Sequence, residues 1–133
     1  MKTESGSAPK ILLIEDSEDI TKPLILRLSK KGYEVMVAQD GRSGLTKARL
    51  HSPHLIILDL HLPHLSGEEV CKAIREDENE AINQIPIIML TAKTSDADRI
   101  VGKVIGANSY MTKPYDPDKL LKEIEKFLRS HGE

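Results

Sequence analysis

The stretch Leu55-Ile56-Ile57-Leu58-Asp59 runs branched apolar residues straight into a carboxylate. Bounded by Pro53 and Pro63, it reads as a strand buried on both faces, as in a parallel sheet covered by helices. A charge at the end of such a strand is costly unless a cation or a mouth of solvent meets it. In open parallel sheets, ligands bind outside the carboxyl ends of the strands, which is where Asp59 falls. For Asp59 alone, a capping or loop aspartate is the simpler account. The case for more rests on three other strands that end the same way.

Toward the N-terminus, residues 10–14 form a short apolar strand that runs into Glu15-Asp16, and 33–37 form a second strand. Between them, Ile20, Leu24 and Leu28 recur at helical spacing over 17–31, and Lys30-Lys31-Gly32 closes the helix with basic residues and a glycine stop. Pro23 is awkward in its interior, so the helix should kink or begin nearer Thr21. After Asp40-Gly41, a helix over 42–51 turns Leu45 and Ala48 inward, with Arg49 a further candidate for that side.

Toward the C-terminus, a loop through Pro63 and Gly67 leads into a helix over 68–77. The polar residues 76–84 read as a solvated connection. A buried-type strand over 86–90 ends at Thr91, and a helix over 95–105 stops at Gly106. A strand over 108–112 runs into Lys113-Pro114. Asp116 caps the last helix with Pro117 at its first position. Leu120, Leu121, Ile124, Phe127 and Leu128 give that helix one apolar stripe.

At 133 residues, with no internal repeat, the chain makes one domain with a core that needs no disulfide. Residues 1–9 are Ser/Gly/Thr-rich and read as a disordered leader, leaving 10–130 as the folded unit. The net charge of -2 shows no basic footprint for nucleic acid. The single cysteine, Cys71, fits a reducing compartment and sits in a helical pattern, where it reads as a small buried hydrophobe. No apolar run is long enough for a signal peptide or a membrane span, so the expected location is cytoplasmic.

Five strands alternating with five helices imply an α/β doubly wound parallel sheet with helices on both faces, in the common order 2-1-3-4-5. That order gathers Glu15-Asp16, Asp59, Thr91 and Lys113 at one crevice. Clustered carboxylates repel unless a cation intervenes. Oxygen-only ligands with positions left for water suit magnesium better than zinc. A lysine and a hydroxyl beside that metal leave room for a phosphoryl group, with Asp59 as the nucleophile. An ordinary ion pair between Lys113 and an aspartate accounts for two of these residues, but not for the hydroxyl and the extra acids.

These pieces, Ile14-Glu15-Asp16, Leu58-Asp59-Leu60-His61-Leu62-Pro63 with Gly67, Leu90-Thr91-Ala92 and Tyr110-Met111-Thr112-Lys113-Pro114, resemble the receiver domain of two-component response regulators (CheY-like) from Lys10 to Leu128. The resemblance implies that Asp59 accepts phosphate from a phosphohistidine of a sensor histidine kinase or a histidine phosphotransfer protein. Glu15, Asp16, Asp59 and the backbone carbonyl of His61 would hold Mg2+, and Lys113 would bind a phosphoryl oxygen. Thr91 would move toward the phosphoryl group while Tyr110 turns inward, and Pro114 would follow a cis peptide bond that aims Lys113. The surface of the fourth helix, fifth strand and last helix would report the phosphate to a downstream protein, with no direct nucleic-acid or membrane contact, as a monomer or a weak dimer through that face. One departure is Glu15, where the family often has aspartate; its longer side chain reaches a metal directly or through water. On the fourth helix, Val101, Val104 and Ile105 widen the apolar stripe, consistent with deep packing or with a partner patch.

Other readings share parts of this pattern. A phosphatase using the same aspartyl-phosphate chemistry calls for a second aspartate two residues after the nucleophile, where this chain has His61, and for a cap domain. An interaction module that has lost phosphorylation usually lacks the lysine or the acceptor, and both are present. His51, His54, His61 and His64 cluster in sequence without a spacing that converges on a metal. His61 and Lys93 stand at the rim of the crevice, where they would tune the access of water to the aspartyl-phosphate. With only 129–133 beyond the last stripe, the chain reads as a stand-alone regulator or a fragment of a longer one.

Overall fold

The computed structural model describes residues 8–91, 106–113 and 115–132, with the side chains of 91 and 130–132 excepted. Its strands are β1 (Lys10–Ile14), β2 (Glu34–Ala38), β3 (Leu55–Asp59), β4 (Ile87–Thr91) and β5 (Ser109–Thr112). They form one sheet in the order β2-β1-β3-β4-β5, every pair parallel, as expected. Because all strands run the same way, their carboxyl ends share one edge of the sheet.

Alternation along the strands divides the core in two. Leu12, Ile14, Ile56, Leu58, Ile87 and Met89 face α2 (Gly41–His51) and α3 (Gly67–Arg75), where Ala48, Val70, Cys71 and Ile74 meet them. Ile11, Leu13, Leu55, Ile57, Ile88 and Leu90 face α1 (Glu18–Lys30) and the last helix, meeting Leu24, Leu28, Leu120 and Ile124. Residues 55–59 are buried throughout, which explains why β3 carries no alternating polar face.

The helix boundaries follow local chemistry. After α1, Gly32 takes φ 92, and Tyr33 and Gly32 donate to Leu28 and Ser29, closing the helix in a Schellman motif. The helix starts at Glu18 despite Pro23, which lies inside it on the exposed face. In α2, Leu45 and Ala48 face the core as expected, joined by the buried Gly41 and Gly44, whereas Arg49 is exposed and reaches Asp77 at 3.1 Å. A Cβ on Gly44 would stand 2.6 Å from Ile14 Cδ1, so glycine sets how closely α2 lies on β1.

A single helical turn, α4 (Glu80–Asn83), stands inside the stretch expected to be a solvated connection. Asn79 caps it, and Ile82 and Ile85 seal it to the core. The expected helix over 95–105 and the leader residues 1–7 lie outside the described residues. Pro9 is already tied to the sheet, its carbonyl accepting from Glu34 N–H at 2.9 Å. The last helix, α5 (Pro117–Gly132), begins after Asp116, whose carboxylate accepts from Asp118 N–H. No helix among the described residues is long and apolar enough to cross a membrane.

Candidate functional site

Three carboxylates and one ammonium meet at the carboxyl edge of the sheet. Asp59 closes β3 and is 3% exposed; Glu15, just past β1, is 1% exposed. Asp16 follows into solvent. Carboxylate oxygens from Glu15, Asp16 and Asp59 all lie within 4.8 Å of one another. Lys113, just past β5, places Nζ 2.7 Å from Glu15 Oε1 and 3.2 Å from Asp59 Oδ1. Backbone donors complete the pair: Ser17 N–H reaches Glu15 Oε2 at 3.1 Å, and His61 N–H reaches Asp59 Oδ1 at 3.3 Å.

The chain is shaped to hold these groups. Glu15 N–H donates to Ala38 O and Leu60 N–H to Leu90 O, so the ladder fixes the backbone one residue beyond β1 and β3. The loop after Asp59 folds back on the strand end. Gly67 N–H donates to Leu60 O at 2.9 Å, and a Cβ on Gly67 would run into Asp59 O and stand 2.8 Å from Leu60 Cα. A Cβ on Gly41 would likewise collide with the backbone of Leu65. Within the loop, His64 takes φ 69 and Leu65 N–H donates to Pro63 O, a tight turn that only a few non-glycine residues adopt. Ser66 and Glu69 then start α3 with a reciprocal capping box.

Burial governs the electrostatics. It raises the carboxyl pKa of Asp59, more than the nearby Lys113 and the His61 N–H lower it. Glu15 is raised for the same reason, with Asp59 adding to the shift against the Lys113 hydrogen bond. For Lys113, burial works to lower the pKa, but the paired carboxylates Glu15 and Asp59 outweigh it, and the net shift is upward. Burial thus disfavours the charged carboxylates by more than the single lysine compensates. Its donors are hard oxygens, with no sulfur or imidazole among them, and this fits magnesium rather than zinc.

Glu15, Asp16, Asp59 and Lys113, singled out from the sequence, are therefore brought together. Tyr110 is half-buried against the α2–α3 side of the core, and its hydroxyl is buried without a hydrogen-bond partner among the described residues. Thr91 ends β4 opposite Thr112, but its side chain lies outside the described residues, as do Lys93 and Pro114. The histidines do not converge: His51, His54, His61 and His64 are exposed, and His54 Nδ1 accepts from Lys10 N–H at the far end of β1. Gly67 stood out in the sequence as a loop residue, but its close packing, that of Gly41 and the Ser66-x-x-Glu69 signature at the start of α3 did not.

Known proteins share this fold. A family model described as the response regulator receiver domain matches residues 11–125. The alkaline phosphatase synthesis transcriptional regulatory protein PhoP of Bacillus subtilis is 42% identical over 120 residues, 90% of this chain and 48% of that protein. The chain thus spans about half the length of the curated relatives it matches. The chemotaxis response regulator CheY4 of Vibrio cholerae superposes with a TM-score of 0.83 at 36% identity, covering 92% of this chain and 100% of that one. The receiver domain of a sensor histidine kinase from Pseudomonas aeruginosa, solved with a magnesium ion coordinated in its active-site cleft, matches with a TM-score of 0.83 at 30% identity, covering 92% and 98%.

Proposed function

The chain belongs to the response regulator receiver domain family of two-component systems, and from that premise we propose that residues 10–130 form one phosphoacceptor unit with Asp59 as the acceptor. The observation that carries this reading is the buried carboxylate of Asp59 at a strand end, within reach of Lys113 and of the oxygens of Glu15 and Asp16.

Asp59 Oδ1 already takes the His61 N–H and faces Lys113, so Oδ2 is the attacking oxygen. It bonds to the phosphorus of a phosphohistidine on a sensor histidine kinase or a histidine phosphotransfer protein. As the P–O bond forms the P–N bond breaks, and its electron pair stays on the imidazole nitrogen, which takes up a proton. Lys113 balances charge on the transferred group. Glu15, Asp16, Asp59 and the His61 carbonyl would hold Mg2+, which supplies further neutralisation of the phosphoryl oxygens.

Hydrolysis of the acyl phosphate resets Asp59, so the unit is a switch that assists its own phosphorylation and dephosphorylation rather than an enzyme acting on a separate substrate. Thr91 and Tyr110 transmit the state, with Thr91 drawn to the phosphoryl group and Tyr110 favoured inward. The surface around 95–105, β5 and α5 passes the signal to a downstream protein, as a monomer or weak dimer, in the cytoplasm. This unit makes no direct contact with nucleic acid or membrane, in keeping with its net charge of -2.

Borohydride reduction of the phosphorylated chain tests the assignment, because it converts an aspartyl phosphate to homoserine. Homoserine at position 59 is the expected product. Phosphate retained on a histidine, with position 59 unreduced, contradicts it.

A further inference from the structure

Strand β5 carries Tyr110 and delivers Lys113, yet its own composition does little to fix its register. All its residues are half-buried, whereas β3 is buried throughout. It lies at the edge of the sheet and, among the described residues, pairs only with β4. Register is firmly set where one face is buried, and weakly set in a short strand of mixed polarity. A slip of one residue turns every side chain to the opposite face, which would carry Lys113 away from Asp59.

The start of the strand is clamped instead. Arg75, the last residue of α3, donates from Nε to Gly106 O at 2.9 Å and from Nη1 to Asn83 O at 3.0 Å and Ile85 O at 2.8 Å. Its Nη2 donates to Asn108 Oδ1 at 2.8 Å. The same Oδ1 accepts from Ile87 N–H at 2.8 Å, and Asn108 N–H donates to Ile87 O at 2.9 Å. Asn108 thereby adds a side-chain rung just before the ladder pair Ile88–Ser109. Among the described residues no carboxylate pairs with Arg75; its planar fork is given to acceptors from separate segments, a geometry lysine cannot copy. Gly106 takes φ +100, and a Cβ there would stand 2.9 Å from Arg75 Cγ, so the turn accommodates the arginine stem.

The other end of α3 is seated under the phosphoacceptor, through Gly67 N–H on Leu60 O. At ~1.5 Å per residue, α3 spans about 13 Å, and β5 at ~3.3 Å per residue spans about the same. The helix is thus a strut from the backbone beside Asp59 to the start of the strand that ends at Lys113.

We propose that Arg75, acting with Asn108, locks the register of β5 and is thereby a positioning residue for Lys113. The consequence for phosphoryl transfer rests on the function proposed above, whereas the placement of Lys113 is a property of the unphosphorylated chain.

The full chain, labelled with nitrogen-15 at lysine, gives an ammonium resonance for Lys113 that is assigned by comparison with Lys113→Arg. Arg75→Lys keeps the charge and loses the fork; Asn108→Ala removes the shared acceptor at an exposed position. Ser109→Ala is the control, since it breaks only the hydrogen bond to Glu123 Oε2 on the flank of β5. In Arg75→Lys and Asn108→Ala the Lys113 resonance should move to the position of solvent-exposed lysines. Phosphorylation by a small acyl phosphate should slow by about a hundredfold or more, since a misplacement of ~1 Å already costs that much. Ser109→Ala should match wild type in both. An unmoved Lys113 resonance in a folded variant of either kind, with only thermal stability lowered, overturns the lock and leaves Arg75 a structural residue. A resonance that moves while no variant, wild type included, takes up phosphate upholds the lock and contradicts the phosphoacceptor assignment instead.

Discussion

Lys113 stands closer to Glu15, at 2.7 Å, than to Asp59, at 3.2 Å, so Glu15 is the nearer partner of the lysine. The longer side chain makes this possible: Oε2 keeps the Ser17 N–H while Oε1 reaches the ammonium. Because burial raises the pKa of Glu15, its charged form weakens the metal-free fold even as it holds Lys113. Glu15→Gln should therefore leave metal-free stability unchanged or higher, while weakening Mg2+ binding by about tenfold, ~1.4 kcal/mol. Thermal unfolding across a magnesium titration checks both.

Magnesium should stabilise the wild-type chain through Glu15, Asp16 and Asp59. At a free concentration ten times its dissociation constant, linkage gives about 1.4 kcal/mol. Asp16→Asn should remove most of this gain while leaving metal-free unfolding close to wild type, because Asp16 is exposed. Calorimetry with magnesium and with a chelator separates the two.

The pH dependence follows from the raised pKa of Asp59. The native state holds that proton more tightly than the unfolded chain, so the contribution of Asp59 is fully favourable below its unfolded value, about 3.8. That contribution is lost as pH rises through the native value. Asp59→Asn should accordingly be more stable than metal-free wild type at pH 7. The difference should shrink as the pH falls toward 4. Parallel urea titrations of the two proteins across that range measure it.

Backbone crowding at the acceptor loop predicts a different signature. Gly67→Ala would drive a Cβ into backbone atoms, Asp59 O with Leu60 Cα and O, where no side-chain end can yield. A loss of about 2–4 kcal/mol is expected, together with slower phosphorylation because the strand end itself must shift. Pro23→Ala should act in the opposite direction. It restores the hydrogen bond to the Asp19 carbonyl inside α1 and should add about 1–2 kcal/mol, with no change in phosphorylation.

Much of this was legible in the chain because burial and turn chemistry spoke together. The apolar runs of β1, β3 and β4, the Gly32 stop and the Asp116-Pro117 cap each carried a local signal that agreed with the sheet order. The carboxylates and Lys113 were legible because parallel strands gather their ends. What was hidden depended on close approach rather than on pattern. Gly44 packs α2 against Ile14 with no side chain to mark it, whereas Arg49, a further candidate for that inner face, is exposed. The α4 turn shows a single buried apolar residue, Ile82, within a polar stretch. Arg75 resembles any basic residue ending a helix until the carbonyls of Asn83, Ile85 and Gly106 are seen around it.

The most direct measurement is the intact mass of wild type and Asp59→Asn after incubation with a small acyl phosphate, with and without magnesium. One added phosphoryl group on wild type, requiring both magnesium and Asp59, is the predicted result. A folded wild-type chain that gains no phosphoryl group, or an Asp59→Asn variant that gains one equally well, would contradict the account.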